Sequence, residues 1–243
     1  MQVNEFDNPA KRLLTLLKQA QGMNPDTPCR TAWHTLLKTG NDEATLMVRL
    51  GKVMGLPAEI VQSMQRHYPN DPNSWNHWFS RVNNAFVSQQ LAGQWQSFSG
   101  QIDEHTITYL GMTATLLGHM EHVAPISNDD AKRFKDELAE ILADVLTSDL
   151  EPKVKDTVGR HLQRLIVAID EYSLTGALPI LDAVDAAIGH IAIDQQYADT
   201  LKNTSIGSRF AEALAAVANV VTVVVGLPQL PAGVDAAKKL LGF

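Results

Sequence analysis

The residues with the most obvious chemical capacity are two histidines. His119 and His122 form an H-x-x-H pair around Glu121. A spacing of three puts both imidazoles on one side of a helix, as a metal site requires. A third ligand must come from elsewhere. His105 lies 14 residues before His119, about 21 Å away along a continuous helix, and no Glu stands at the general-base spacing of a metalloprotease. The pair therefore reads as surface histidines, and no metal or other cofactor is expected.

Cys29 is the single cysteine, so neither an intrachain disulfide nor a Cys-rich zinc site can form. It falls near a helix start, where the dipole can lower a thiol pKa. Its neighbour His34 is five residues on and points to another face, so a buried apolar role is expected. Acidic residues recur at Asp136, Glu137, Glu140 and Asp144, and at Asp182 and Asp185. They lie opposite regular apolar stripes and read as solvated helix faces rather than acid–base pairs. No phosphate-binding glycine loop, G-x-S-x-G elbow or EF-hand pattern is present.

Three stretches suggest binding instead. Residues 49–64, RLGKVMGLPAEIVQSM, resemble a helix-turn-helix, with a first helix ending at Gly55 and a second restarting at Pro57. Leu50, Met54, Val61 and Met64 would form its small core. Arg49, Gln62, Gln65 and Arg66 would be its DNA-reading residues, although positive charge for phosphates is sparse. Trp75, Trp78 and Phe79 share a helix face, and tryptophan commonly anchors interfaces. They are candidate partner-binding residues, against the plainer reading of core packing. Ala213 to Val234 holds no charged residue in 22 positions. Within it Val221, Val224 and Val225 are the candidate contacts, whether to core, partner or membrane.

Helices must position these residues, because the apolar spacing is helical almost throughout and no alternating strand pair with a hairpin signal occurs. Asn8 caps a helix that begins at Pro9 and stops at Gly22. A second runs from about Pro28 to Lys38, a third is capped by Asn41, and further helices cover the Trp-rich stretch and about 103–122. Ser127 and Asp130 have capping-box spacing. Three apolar registers follow, from Leu138, Val158 and Leu181. The expected fold class is all-α, a multi-helix bundle in two loosely separated halves. The first half, 1–124, is Trp-rich and carries the helix-turn-helix-like corner at 44–67. The second half, 127–243, is acidic and built around an apolar helix at 210–227.

Composition agrees with a globular chain. Hydrophobic residues make up 45% and charged residues 19% of 243 positions, which excludes disorder as the dominant state. Residues 1–70 carry 8 Lys+Arg against 6 Asp+Glu, and residues 71–243 carry 12 against 21. Such acidity disfavours broad nucleic-acid contact in the second half, so nucleic acid is not an expected partner. No signal-peptide core is recognised near the start, and one cysteine fits a reducing, cytoplasmic setting.

Without a catalytic constellation, the sequence points away from an enzyme. The expectation is a bacterial-type helical interaction or regulatory protein that binds a protein partner or further copies of itself. One alternative is a membrane-acting effector of a toxin or phage-defence (antiviral) system that uses 210–227. Another is a DNA-binding regulator that uses 44–67.

Overall fold

The protein is all-α. The computed structural model describes residues 6–71, 73–121, 123–202, 204–225 and 230–242, with backbone alone at 223, 225, 230–234 and 237. Among the described residues no strand forms, and the single isolated bridge joins Pro28 to Gln94. Two compact units divide the chain, Met1–His122 and Val123–Phe243.

The first unit contains α1 (Pro9–Gln21), α2 (Cys29–Leu36), α3 (Glu43–His67), α4 (Asn76–Ser88), α5 (Gln96–Ser99) and α6 (Glu104–Glu121). α1 packs against both long helices, α3 and α6, and α4 packs on α6. The start of α1 follows from its sequence. Pro9 sits where a missing N–H costs nothing, and the Asn8 side chain accepts from Lys11 N–H at 2.8 Å. α3 is capped by Asp42, one residue beyond the expected Asn41, through Thr45 N–H at 3.1 Å.

The corner expected at Gly55 does not form. α3 runs unbroken through Gly55 and Pro57 for 25 residues, and Gly55 is not among the glycines with positive φ. The reason is the register of its buried face. Leu46, Leu50, Val53, Pro57, Ile60 and Met64 follow alternating steps of four and three, so one apolar stripe continues across the proline. An interior proline costs roughly 3 kcal/mol. Each large buried side chain returns about 1.5–3 kcal/mol, so unbroken burial wins. Two residues assigned to the small corner core lie elsewhere: Met54 is exposed and Val61 half-buried.

The second unit contains α7 (Asn128–Thr147), α8 (Pro152–Asp170), α9 (Tyr172–Thr175), α10 (Leu178–Ile193), α11 (Gln195–Leu201), α12 (Ser205–Val225) and α13 (Leu230–Leu241). Ser127 caps α7 as its spacing predicts, accepting from Asp130 N–H at 3.0 Å while its hydroxyl donates to the Asp130 carboxylate at 2.7 Å. α7 and α8 pair closely, α8 also packs on α10, and α12 lies against α7, α10 and α13. Phe210, Leu214, Val217, Ala218, Val221 and Val224 of α12 enter one hydrophobic core with Leu138, Ile141, Leu162, Leu165, Val184 and Ile191.

Candidate functional site

Most residues singled out from the sequence have structural work inside their own unit. Trp75 and Trp78 are buried in the first unit and Phe79 is half-buried. Trp78 stacks edge-on against Phe79 with centroids 6.0 Å apart. Trp75 and Trp78 are core, because a buried indole has no face left for a partner, while Phe79 stays half-buried. Trp33, Trp95, Phe86 and Phe98 form a second buried aromatic group, with neighbouring rings 4.8–6.2 Å apart. Val221 and Val224 are buried in the second unit, and the side chain of Val225 lies outside the described residues.

The four residues of the DNA-reading alternative do not converge. Arg49 donates from Nη1 to the carbonyls of Leu37 (2.8 Å) and Lys38 (3.3 Å), closing the open end of α2. Arg66 donates to Ser63 Oγ at 2.9 Å. Gln62 and Gln65 are exposed on the same long helix, some 20 Å beyond Arg49 at helical rise. With no turn at Gly55, no separate recognition helix exists.

Of the reactive candidates, Cys29 is part of the packing of the first unit. Cys29 is buried; burial raises its thiol pKa, outweighing the opposing effects of Ser97, Trp33 and Arg30. Nearby, Trp33 Nε1 donates to Gln89 Oε1 at 2.7 Å. His119 is exposed, and His122 lies outside the described residues. Among the described residues no group of three His, Cys, Asp or Glu side chains could hold a metal ion. Two of the acidic side chains have a structural partner: Arg209 of α12 reaches Glu140 (3.6 Å) and Asp144 of α7. Asp182 and Asp185 remain close enough that burial, with Asp182 beside it, raises the Asp185 pKa.

Two small cavities lie in the second unit. One is apolar and lined by Ile126, Ala131, Phe134, Ile169, Tyr172, Ile180, Val217 and Val221. Its one polar side chain is Tyr172, whose hydroxyl accepts from Ile126 N–H at 2.9 Å. The other carries the polar side chains Glu151, Lys153, Thr157, Asp194 and Gln196 and lies between the start of α8 and the α10–α11 junction. Among the described residues no helix is long and apolar enough to cross a membrane.

The surface that stands out was not singled out from the sequence. From His105 to Met120, α6 carries no Asp, Glu, Lys or Arg. Its inner face, Leu110, Thr113, Ala114, Leu117 and Gly118, is buried in the first unit. Its outer face exposes Tyr109, Met112, Leu116 and Met120, with Met112 60% exposed. His105, Thr108, Thr115 and His119 complete that face. A helix that packs on one side and carries no charge on the other departs from the usual amphipathic pattern. The readable signal was a charge-free run of 16 residues in a helix with polar neighbours, and the longer apolar run near the C-terminus drew attention from it.

Asp103 anchors the start of this helix. It accepts from Thr106 N–H and Thr106 Oγ1, both at 2.7 Å. Those bonds, with help from His77 and Arg81, hold its carboxyl down at about 2. The His77 ring in turn lies edge-on to Tyr109 at 5.2 Å, which fixes the start of the exposed stripe.

No protein-family model matches the chain, and neither do any curated proteins or solved structures.

Proposed function

We propose that the protein is a non-enzymatic interaction protein and that the outer face of α6 is its contact surface. The observation that carries this reading is the exposed stripe Tyr109, Met112, Leu116 and Met120 on a helix without charge between His105 and Met120. Flexible methionines suit an adaptable apolar contact. Depletion of charge at the centre with polar groups at the rim is the composition of an interface core.

The occupant we assign is α6 of a second copy, running antiparallel. His105, Tyr109, Met112, Leu116 and His119 follow steps of four, three, four and three, the seam of a two-helix contact. A two-fold axis beside Met112 lets this seam face itself, as an isologous contact requires. It sets His105 across from His119 of the other copy, with Glu104 level with Met120. Antiparallel alignment also opposes the helix dipoles favourably.

Light scattering on size-separated, detergent-free protein over a concentration series tests this. Reversible dimerisation in the micromolar range is expected. It should be lost in Met112→Lys and Leu116→Lys, whose far-UV circular dichroism and urea midpoint should stay near those of the parent. A parent chain that remains monomeric throughout, or lysine variants that still dimerise, would overturn the assignment.

A further inference from the structure

The second unit holds a row of polar side chains that its packing does not satisfy. His161 of α8 is 5% exposed, and its Nδ1 has no hydrogen-bond partner. His190 of α10 lies against it, with ring centroids 5.3 Å apart and planes at 64°. On its other side His190 meets the ring of Tyr197 of α11, with centroids 4.9 Å apart. The Tyr197 hydroxyl is also buried without a partner. His190 Nε2 stands 3.7 Å from Asp194 Oδ2, and Asp194 Oδ1 accepts from Tyr197 N–H at 3.0 Å, capping α11. Two imidazoles, a phenol and a carboxylate thus bridge three helices.

The contact works with a neutral His161. A proton there would place charge in a buried position beside a second imidazole. The other charges acting on it are Arg164 and Arg160 of its own helix, both of the same sign. α10 contributes His190, while α7 and α9, also packed on α8, contribute none that acts on it among the described residues. An aliphatic side chain would fill the position without this liability, so the histidine makes the contact between α8 and α10 conditional on pH.

We propose that the His161–His190 pair is an acid-sensitive latch, which holds α8 to α10 and α11 at neutral pH and loosens the second unit on mild acidification while the first stays folded. Burial, then His190, Arg164 and Arg160, hold the His161 pKa at about 4 against an ordinary 6.5. The unfolded chain therefore binds the proton more readily between those values. The contribution is complete above pH 6.5, is lost as pH falls towards 4, and changes no further below that. Across that window the unfolding equilibrium of the second unit shifts by on the order of a hundredfold.

The full chain offers a clean readout, because all four tryptophans, Trp33, Trp75, Trp78 and Trp95, lie in the first unit. Urea unfolding is followed at pH 7 and pH 4.5 by tryptophan emission and by hydrogen exchange of peptides from residues 152–201. The expected result is a loss of protection in those peptides at pH 4.5, measured as exchange relative to the intrinsic rate at each pH, with a much smaller change in the tryptophan midpoint. His161→Met should abolish most of that acid effect. His190→Gln, which removes the neighbouring positive charge, should reduce it. Acid sensitivity that persists in His161→Met overturns the latch. Should that variant fail to fold, a proton NMR titration of the parent decides: a His161 midpoint below about 5 supports the latch, and an ordinary midpoint near 6.5 overturns it.

Discussion

The indole Nε1 of Trp78 donates to Oγ1 of Thr113 at 3.1 Å, joining α4 to α6 in the core of the first unit. Thr113 Oγ1 itself donates to the Tyr109 carbonyl at 3.0 Å. Thr113→Val keeps the shape and removes the acceptor. The buried indole N–H is then unpaired, at a cost of about 1–3 kcal/mol. Urea unfolding followed by tryptophan emission should show that loss, and an unchanged midpoint would mean the bond contributes nothing.

Asn8 works in two directions. Its Oδ1 caps α1 through Lys11 N–H, and its Nδ2 donates to the Ala114 carbonyl of α6 at 3.0 Å. Asp is ordinarily as good a cap as Asn, yet here Asn8→Asp turns a buried carboxylate towards a carbonyl. Asn8→Asp is expected to destabilise the first unit at least as much as Asn8→Ala, by ~1–3 kcal/mol. Equal stability of Asn8→Asp and the parent would show that capping alone matters.

Arg209 bridges α12 to α7 through Glu140 and Asp144, but all three side chains are substantially exposed. Solvent screens such pairs, so each contributes ~1 kcal/mol or less. Arg209→Gln should lower the stability of the second unit by no more than that, and the difference should shrink in high salt. A loss several times larger would indicate that the bridge sets the α7–α12 packing.

Cys29 should be a reporter of opening in the first unit. Its thiol is buried, and burial raises its pKa, so labelling by a thiol reagent must wait for the structure to open. Thr113→Val should speed labelling about tenfold for each 1.4 kcal/mol it removes, provided reclosing is fast. A native thiol that reacts as fast as a free peptide would contradict the packing around Trp33 and Gln89.

Local signals were the most legible part of this chain. Asn8 with Pro9, and Ser127 with Asp130, form caps where their spacing places them, because a cap involves only three or four consecutive residues. Gly55-Leu56-Pro57 misled for the opposite reason. Its local preference to break competes with an apolar stripe from Leu46 to Met64 that is buried by other helices, and tertiary burial outweighs one lost hydrogen bond. The steps of four and three through Pro57 were visible, but their weight depended on what lay opposite.

The candidate site shows the same division. Trp75, Trp78, Val221 and Val224 were singled out by type, and type alone does not tell core from contact, since both use the same apolar chemistry. Which face of α6 is covered depends on where α1 and α4 lie.

By itself the sequence determined that the chain is helical, where α1, α2, α6 and α7 begin to within a residue or so, and that no Cys-rich zinc site or intrachain disulfide can form. Those properties follow from periodicity, capping and composition, which act over a few residues. Only the tertiary structure decided that α3 is one helix, that Met112 faces outward while Trp78 faces inward, and that His161 meets His190. His161 and His190 are 29 positions apart, and burial and distance between such residues are set by how whole helices pack.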